Sequence, residues 1–161
     1  MKVLVVSDSH SSIAFMRMAI SKLHPGIIVH LGDHYSDGEV LAEEYPHIRI
    51  YQVPGNCDCY TVGASQPPII CCDIGGVRCY MTHGHLHYVK TGPTRLEAAA
   101  REAGARVVMY GHTHSPVCKD EDGLLVINPG SCRGFGGSVC LLEVADKEIA
   151  SCRILRQEDL D

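Results

Sequence analysis

Short apolar runs punctuate this chain, and five of them end in the same way. The segments are VLVVSDSH from Val3, IIVHLGDH from Ile27, IRIYQVPGNCD from Ile48, VRCYMTHGH from Val77 and RVVMYGHTH from Arg106. Each opens on a few residues rich in Val and Ile and closes on polar, Gly- or His-rich residues. Runs this short and this β-branched predict buried strands rather than helices. Helical periodicity falls between them. Ile13, Met16, Ile20 and Leu23 lie near helical spacing behind a cap at Ser11 or Ser12, with Pro25-Gly26 as the stop. A second helix is predicted from Ser36 or Asp37 to Tyr45, ended by Pro46. The third has Pro93 at its first position, Glu97 and Arg101 spaced i,i+4, and Gly104 after its last turn. The β-α-β-α-β opening implies a parallel sheet with right-handed crossovers.

After Pro67 the texture changes. Ile69–Ile74 and Val77–Thr82 flank Gly75-Gly76, a hairpin signal. Leu124–Asn128, Val139–Val144 and Ile149–Leu155 add strands, with a turn at Asp146-Lys147. The expectation is one α/β domain over residues 1–161, carrying two sheets, parallel at first and increasingly antiparallel later. Residues Gln157–Asp161 are expected to fray.

Composition narrows the class. A chain of 161 residues and 17.5 kDa with 45% hydrophobic residues is ordinary for one globular domain and excludes a disordered chain. No apolar run approaches the ~20 residues that span a bilayer. The start MKVLVVSDSH is too short and too soon polar for a signal peptide, so a cytoplasmic location is expected. The net charge of −5 argues against a basic face tracking long nucleic acid. Nine cysteines without a C-x-x-C pair read as cytosolic thiols, mostly small core hydrophobes, with Cys71 and Cys72 pointing to opposite faces of a strand.

The ten histidines are the unusual component. Ligands of open α/β sheets bind beyond the carboxyl ends of the strands, and all five motifs sit there. Asp8 and His10 leave extended chain on one face. Asp33 follows Gly32, and Asn56 follows the turn signal Pro54-Gly55. His83 and His85 flank Gly84; His112 and His114 flank Thr113. Any one of these motifs alone is an ordinary cap, turn former or satisfied histidine. Five strand ends that all carry Asp, Asn or His are not. Oxygen and imidazole donors without thiolate suit manganese, iron, zinc or cobalt. Two divalent ions would bring about +4 against the two carboxylates, leaving a site that favours an anionic nucleophile and an anionic substrate.

D-x-H, G-D, G-N-x-D, H-G-H and G-H-T-H, in this order from Met1 to His114, resemble the calcineurin-like metallophosphoesterase family. The turn INPGS (Ile127–Ser131) is similar to its small bacterial and archaeal phosphodiesterase branch. The resemblance implies a four-layer α/β/β/α sandwich of two mixed sheets with metals at one end. It implies one ion on Asp8, His10 and His114, a second on Asn56, His83 and His112, and Asp33 bridging them. Manganese is favoured, with nickel, cobalt, zinc or iron as other candidates. The implied reaction is in-line attack of a bridging hydroxide on phosphorus. The implied substrate is a small phosphate ester, a diester first and a monoester as the alternative.

One position departs from the family pattern. Where a histidine commonly follows the Asn and protonates the leaving group, this chain has Cys57, as does the small branch. A thiol is a weaker hydrogen-bond former than imidazolium, so the leaving group must be good or another residue must serve. His85 and His34 are the candidates. His85 reads equally as a partner that orients a ligand, and His34 as a solvated loop histidine. Asp58 either orients groups near the second metal or caps a turn. Arg133 either reaches a substrate phosphate with its planar fork or is solvated. A competing class is a protein-binding scaffold, as in a retromer subunit of the same fold, which would not need all seven ligands. A homodimer is the base-rate assembly.

Overall fold

The computed structural model describes residues 1–161. In chain order the elements are β1 (Lys2–Val6), α1 (Ile13–Leu23), β2 (Ile27–His30), α2 (Tyr35–Glu44), β3 (Arg49–Gln52), β4 (Ile69–Ile74) and β5 (Val77–Thr82). Then come α3 (Thr94–Glu102), β6 (Val107–Met109), β7 (Val117–Glu121), β8 (Leu124–Asn128), β9 (Ser138–Ala145) and β10 (Glu148–Arg156). Two five-stranded mixed sheets result, ordered β10-β9-β1-β2-β3 and β4-β5-β6-β8-β7. β1, β2 and β3 are parallel, as are β5, β6 and β8; β9, β10, β4 and β7 pair antiparallel.

Strand alternation builds the layers. Val3 and Val5 face the other sheet, where they meet Met81, Val107, Met109 and Ile127. Leu4 and Val6 point the opposite way, onto Met16 and Ile20 of α1 and Leu41 of α2. Val108 and Val126 of the second sheet pack under Leu96 and Ala100 of α3. Both faces of each central strand are therefore apolar, as burial between a helix layer and a second sheet requires. This is the four-layer α/β/β/α sandwich. Cys72 packs with the inter-sheet core and its neighbour Cys71 with the α3 side, on opposite faces as expected.

The turns match their sequence signals. Gly75 and Gly76 have φ of 58° and 85°, and Asp146 and Lys147 of 52° and 63°, the doubly positive pairs that two-residue hairpins need.

Several expectations need correction. α2 starts at Tyr35, behind His34, rather than at Ser36 or Asp37. Pro93 is the residue before α3, not its first turn. β7 was not expected: its VCKDE sequence is charged because it is an edge strand that β8 pairs on one side only. The end of the chain, expected to fray, has regular structure. Gln157–Asp159 form a 3₁₀ turn, and Leu160 is buried against the α1 side of the core. Nor are all nine cysteines free thiols. Cys118 on β7 and Cys152 on β10 are joined by a disulfide between edge strands of the two sheets, a proximity that arises only once the sandwich assembles.

Candidate metal centre

The candidate ligands lie on loops just past β1, β2, β3, β5 and β6, at one end of the sandwich. These loops hold unusual backbone. Of twelve non-glycine residues with positive φ, seven are here: Asp8, His10, Ser11, Asp33, His34, His112 and His114. Left-handed backbone costs such residues on the order of 1–3 kcal/mol each and persists where the surroundings over-determine it. Backbone packs on backbone between the loops. A Cβ at Gly32 would lie 2.8 Å from Gly55 Cα, and one at Gly111 would lie 2.7 Å from Asp8 Oδ2.

Asp8 is fully buried. Its Oδ2 accepts from Ser7 Oγ (2.6 Å) and from the His112 backbone N–H (3.0 Å), while Oδ1 lies 3.1 Å from His114 Nε2. Asp33 Oδ1 accepts the Cys57 backbone N–H at 2.9 Å and lies 3.5 Å from His83 Nε2. Asp33 Oδ2 is 3.8 Å from His10 Nε2. Burial would raise the Asp33 carboxyl, but the His83 ring and the hydrogen bonds from Cys57 hold it below the usual range. His83 Nδ1 donates to Leu31 O at 2.7 Å, which turns Nε2 toward Asn56 Oδ1, 3.1 Å away. The His112 ring centroid is 5.0 Å from that of His83, and His10 is 5.7 Å from His114.

The donor set fits divalent cations. Ligand atoms of Asp8, His10 and His114 lie within 4.8 Å of one another, as do those of Asp8, Asp33 and His83. Two of the imidazoles, His112 and His10, are biased toward the neutral form that ligates. Burial pulls His112 down to about 4, with His83 and Lys90 adding to it; burial also lowers His10, against the pull of Asp33 and Asp8. All seven sequence-predicted ligands thus stand at one mouth.

The other predicted site residues separate. His85 is at the mouth: its ring centroid lies 5.5 Å from that of His83 and 6.1 Å from that of His112. Its Nδ1 is buried without a partner, and burial followed by His83 lowers its pKa. His34 Nδ1 is 2.9 Å from Ser11 Oγ, with its ring 5.3 Å from His10. Cys57 is exposed, and partial desolvation of its sulfur together with the nearby Asp33 pushes the thiol up to about 11. Asp58 points away from the mouth. Its oxygens accept the backbone N–H groups of Tyr35 (2.9 Å) and Gly55 (2.7 Å), so it ties the Asp33 loop to the Asn56 loop. Arg133 is exposed; its backbone N–H reaches Ser131 Oγ, and its side chain has no protein partner.

A supporting layer escaped the sequence reading because it is set by long-range contacts. Asn128 Nδ2 donates to Gly111 O and Thr113 Oγ1, both at 3.0 Å, and Ser131 Oγ donates to Asp8 O at 2.8 Å. The INPGS turn therefore clamps the first and last ligand loops. Ser9 Oγ donates to Asp37 Oδ2 (2.6 Å), which also accepts the Ser11 N–H (2.8 Å). With that hydroxyl proton committed, His30 Nε2–H donates to Ser9 Oγ at 3.1 Å, and His30 Nδ1 accepts the Gly32 N–H.

Residues 1–147 match the calcineurin-like phosphoesterase superfamily domain. The chain belongs to this family. A probable metallophosphoesterase of Bacillus subtilis is 34% identical over 137 residues, covering 83% of this chain and 76% of its own. A phosphodiesterase of Methanocaldococcus jannaschii is 28% identical over 162 residues, covering 92% and 94%. Among solved structures, an archaeal phosphodiesterase superposes with a TM-score of 0.72 at 26% identity over 97% of this chain and 99% of that one. Vps29 of Entamoeba histolytica complexed with zinc superposes with the same score of 0.72 at 20% identity over 97% and 98%, a likeness of fold. No helix of this metallophosphoesterase-family chain is long and apolar enough to cross a membrane.

Proposed function

We propose that this chain hydrolyses a small phosphate diester using two divalent transition-metal ions, manganese first among them. Asp8, His10 and His114 would hold one ion, Asn56, His83 and His112 the other, and Asp33 would be shared. One observation carries the reading: two carboxylates, four imidazoles and an amide converge on one mouth, where Asp8, His10, Asp33, His112 and His114 hold left-handed backbone. Bound ions would supply a water nucleophile active at neutral pH and positive charge for the phosphoryl oxygens.

The chain's own groups do the rest. The Leu31 carbonyl fixes the His83 tautomer, and the Asp8 carboxylate holds the His112 loop through its backbone N–H. Proton supply to the leaving group is weak. The His85 pKa is lowered, so little imidazolium is present at neutral pH, and the Cys57 thiol near 11 is a poor acid. Esters with intrinsically good leaving groups are therefore preferred. The acidic net charge of −5 favours a small substrate over a long polyanion. A cytoplasmic location and a homodimer are the compartment and assembly to test for.

Manganese-loaded protein offered an aryl phosphodiester, an aryl phosphomonoester and cyclic nucleotides should turn over the diester fastest. Asp33→Asn should lower kcat by roughly 10³-fold. Faster monoester turnover would make it a phosphomonoesterase. Protein that neither retains metal nor turns over any ester would return the chain to the scaffold reading, which the Vps29-like fold allows.

A further inference from the structure

Cys57 sits against the candidate ligands rather than beyond them. Ligand atoms of His10, Asp33 and Cys57 all lie within 4.8 Å of one another. His10 also belongs to the group with Asp8 and His114, so the two groups share a corner. The thiol is fixed there from two sides. Its own backbone N–H is bonded to Asp33 Oδ1 at 2.9 Å, and Asn56 Nδ2 approaches its sulfur at 3.7 Å. It is exposed, so an ion arriving from solvent meets it directly.

We infer that Cys57 is a metal ligand: its sulfur binds the ion on the His10 side, making that position a mixed O/N/S site with added affinity for zinc or cobalt, while it still accepts the manganese of the proposed function. This rests on the reading of the mouth as a metal centre. The chemistry follows from donor softness. Carboxylate and imidazole accept manganese readily, whereas a thiolate favours zinc and cobalt. On ligation the S–H bond breaks, its electron pair forms the sulfur–metal bond, and the proton leaves to solvent; nothing is oxidised or reduced. The other position, with Asn56, His83 and His112, has no sulfur donor. The two positions therefore differ in kind. A ligated sulfur also cannot protonate a leaving group, which removes Cys57 from the list of acids and leaves His85 and His34.

X-ray absorption of the zinc-loaded protein, at one and two equivalents, tests this. A zinc–sulfur shell near ~2.3 Å is expected, retained in Cys59→Ser and lost in Cys57→Ser. Cobalt-loaded protein should show a near-ultraviolet thiolate-to-metal charge-transfer band that disappears in the same variant. Competition titration should show Cys57→Ser losing about tenfold in zinc affinity while manganese affinity stays within about threefold. Zinc bound through nitrogen and oxygen alone, with spectra unchanged in Cys57→Ser, would overturn the sulfur ligand and leave the metal centre standing. Failure to bind any divalent ion would overturn both.

Discussion

At the scale of single residues, His30 shows how a side chain with no motif supports the site. It is fully buried, and burial pulls its pKa down to about 4 despite the opposing field of Asp37. In the unfolded chain it titrates near 6.5. Between these values the unfolded state binds the extra proton, so stability falls as pH drops from about 6.5 to about 4 and is flat below. Because the group is fully buried, solvent screening takes little away, and the loss is about 3 kcal/mol. His30→Gln keeps a donor toward Ser9 and does not titrate. Denaturant melts of the chelator-treated protein across this range should show a steeper acid loss in the wild type than in His30→Gln. Parallel profiles would mean that His30 contributes nothing to the pH dependence. The residue illustrates what stayed hidden in the sequence. Asp8, His10 and the other candidate ligands stood out because their type and order repeat at strand ends. His30, Asp37 and Asn128 carry no such pattern, since their partners lie 15 to 28 residues away along the chain.

At the scale of elements, the legible parts were those in which local chemistry and tertiary context agree. α1 and the Gly75-Gly76 hairpin formed where periodicity and turn residues put them. β7 stayed hidden because an edge strand with Lys119 and Asp120 facing solvent has no apolar alternation to read. The start of α2 shifted because His34 adopts left-handed backbone and Asp58 binds the Tyr35 N–H, a contact between loops. The ligand loops obey a similar rule of close approach. In Gly111→Ala the new Cβ would overlap Ser7 Oγ, the donor to Asp8 Oδ2, and press on Asp8 Oδ2 itself from 2.7 Å, at the carboxylate that also anchors the His112 loop. The variant should lose about 1–3 kcal/mol of stability and 10–100-fold in metal affinity. Gly26→Ala is the matched control, because its Cβ meets nothing within 4 Å. It should leave metal affinity unchanged and shift stability by less than about 1 kcal/mol. Calorimetric metal titration and thermal melts of both proteins decide the point, and equal metal affinities would show that the loop tolerates the methyl group.

For the whole molecule, the two sheets are held by an apolar interior of 17 buried residues, and the ligand end is where that packing gives way to polar loops. Two buried carboxylates, Asp8 and Asp33, face each other there across His83, with Nε2 at 3.9 Å and 3.5 Å from them. Seven residues of the same end hold left-handed backbone. Without cations the mouth concentrates negative charge and strained loops, both of which favour opening. Cations that bind only the folded arrangement oppose this by mass action, by about 2.7 kcal/mol for one ion at one hundred times its dissociation constant. For a chain of this size, 1 kcal/mol corresponds to a Tm shift of about 2–4 °C. Saturating manganese or zinc should therefore raise the Tm by about 5–10 °C per bound ion, and a chelator should reverse the gain. In Asp33→Asn the shared carboxylate is gone, so the metal-induced rise should shrink to a few degrees while the chelated protein melts at or above the wild type. A wild-type Tm indifferent to metal and chelator would show that the mouth holds no ion in the folded protein.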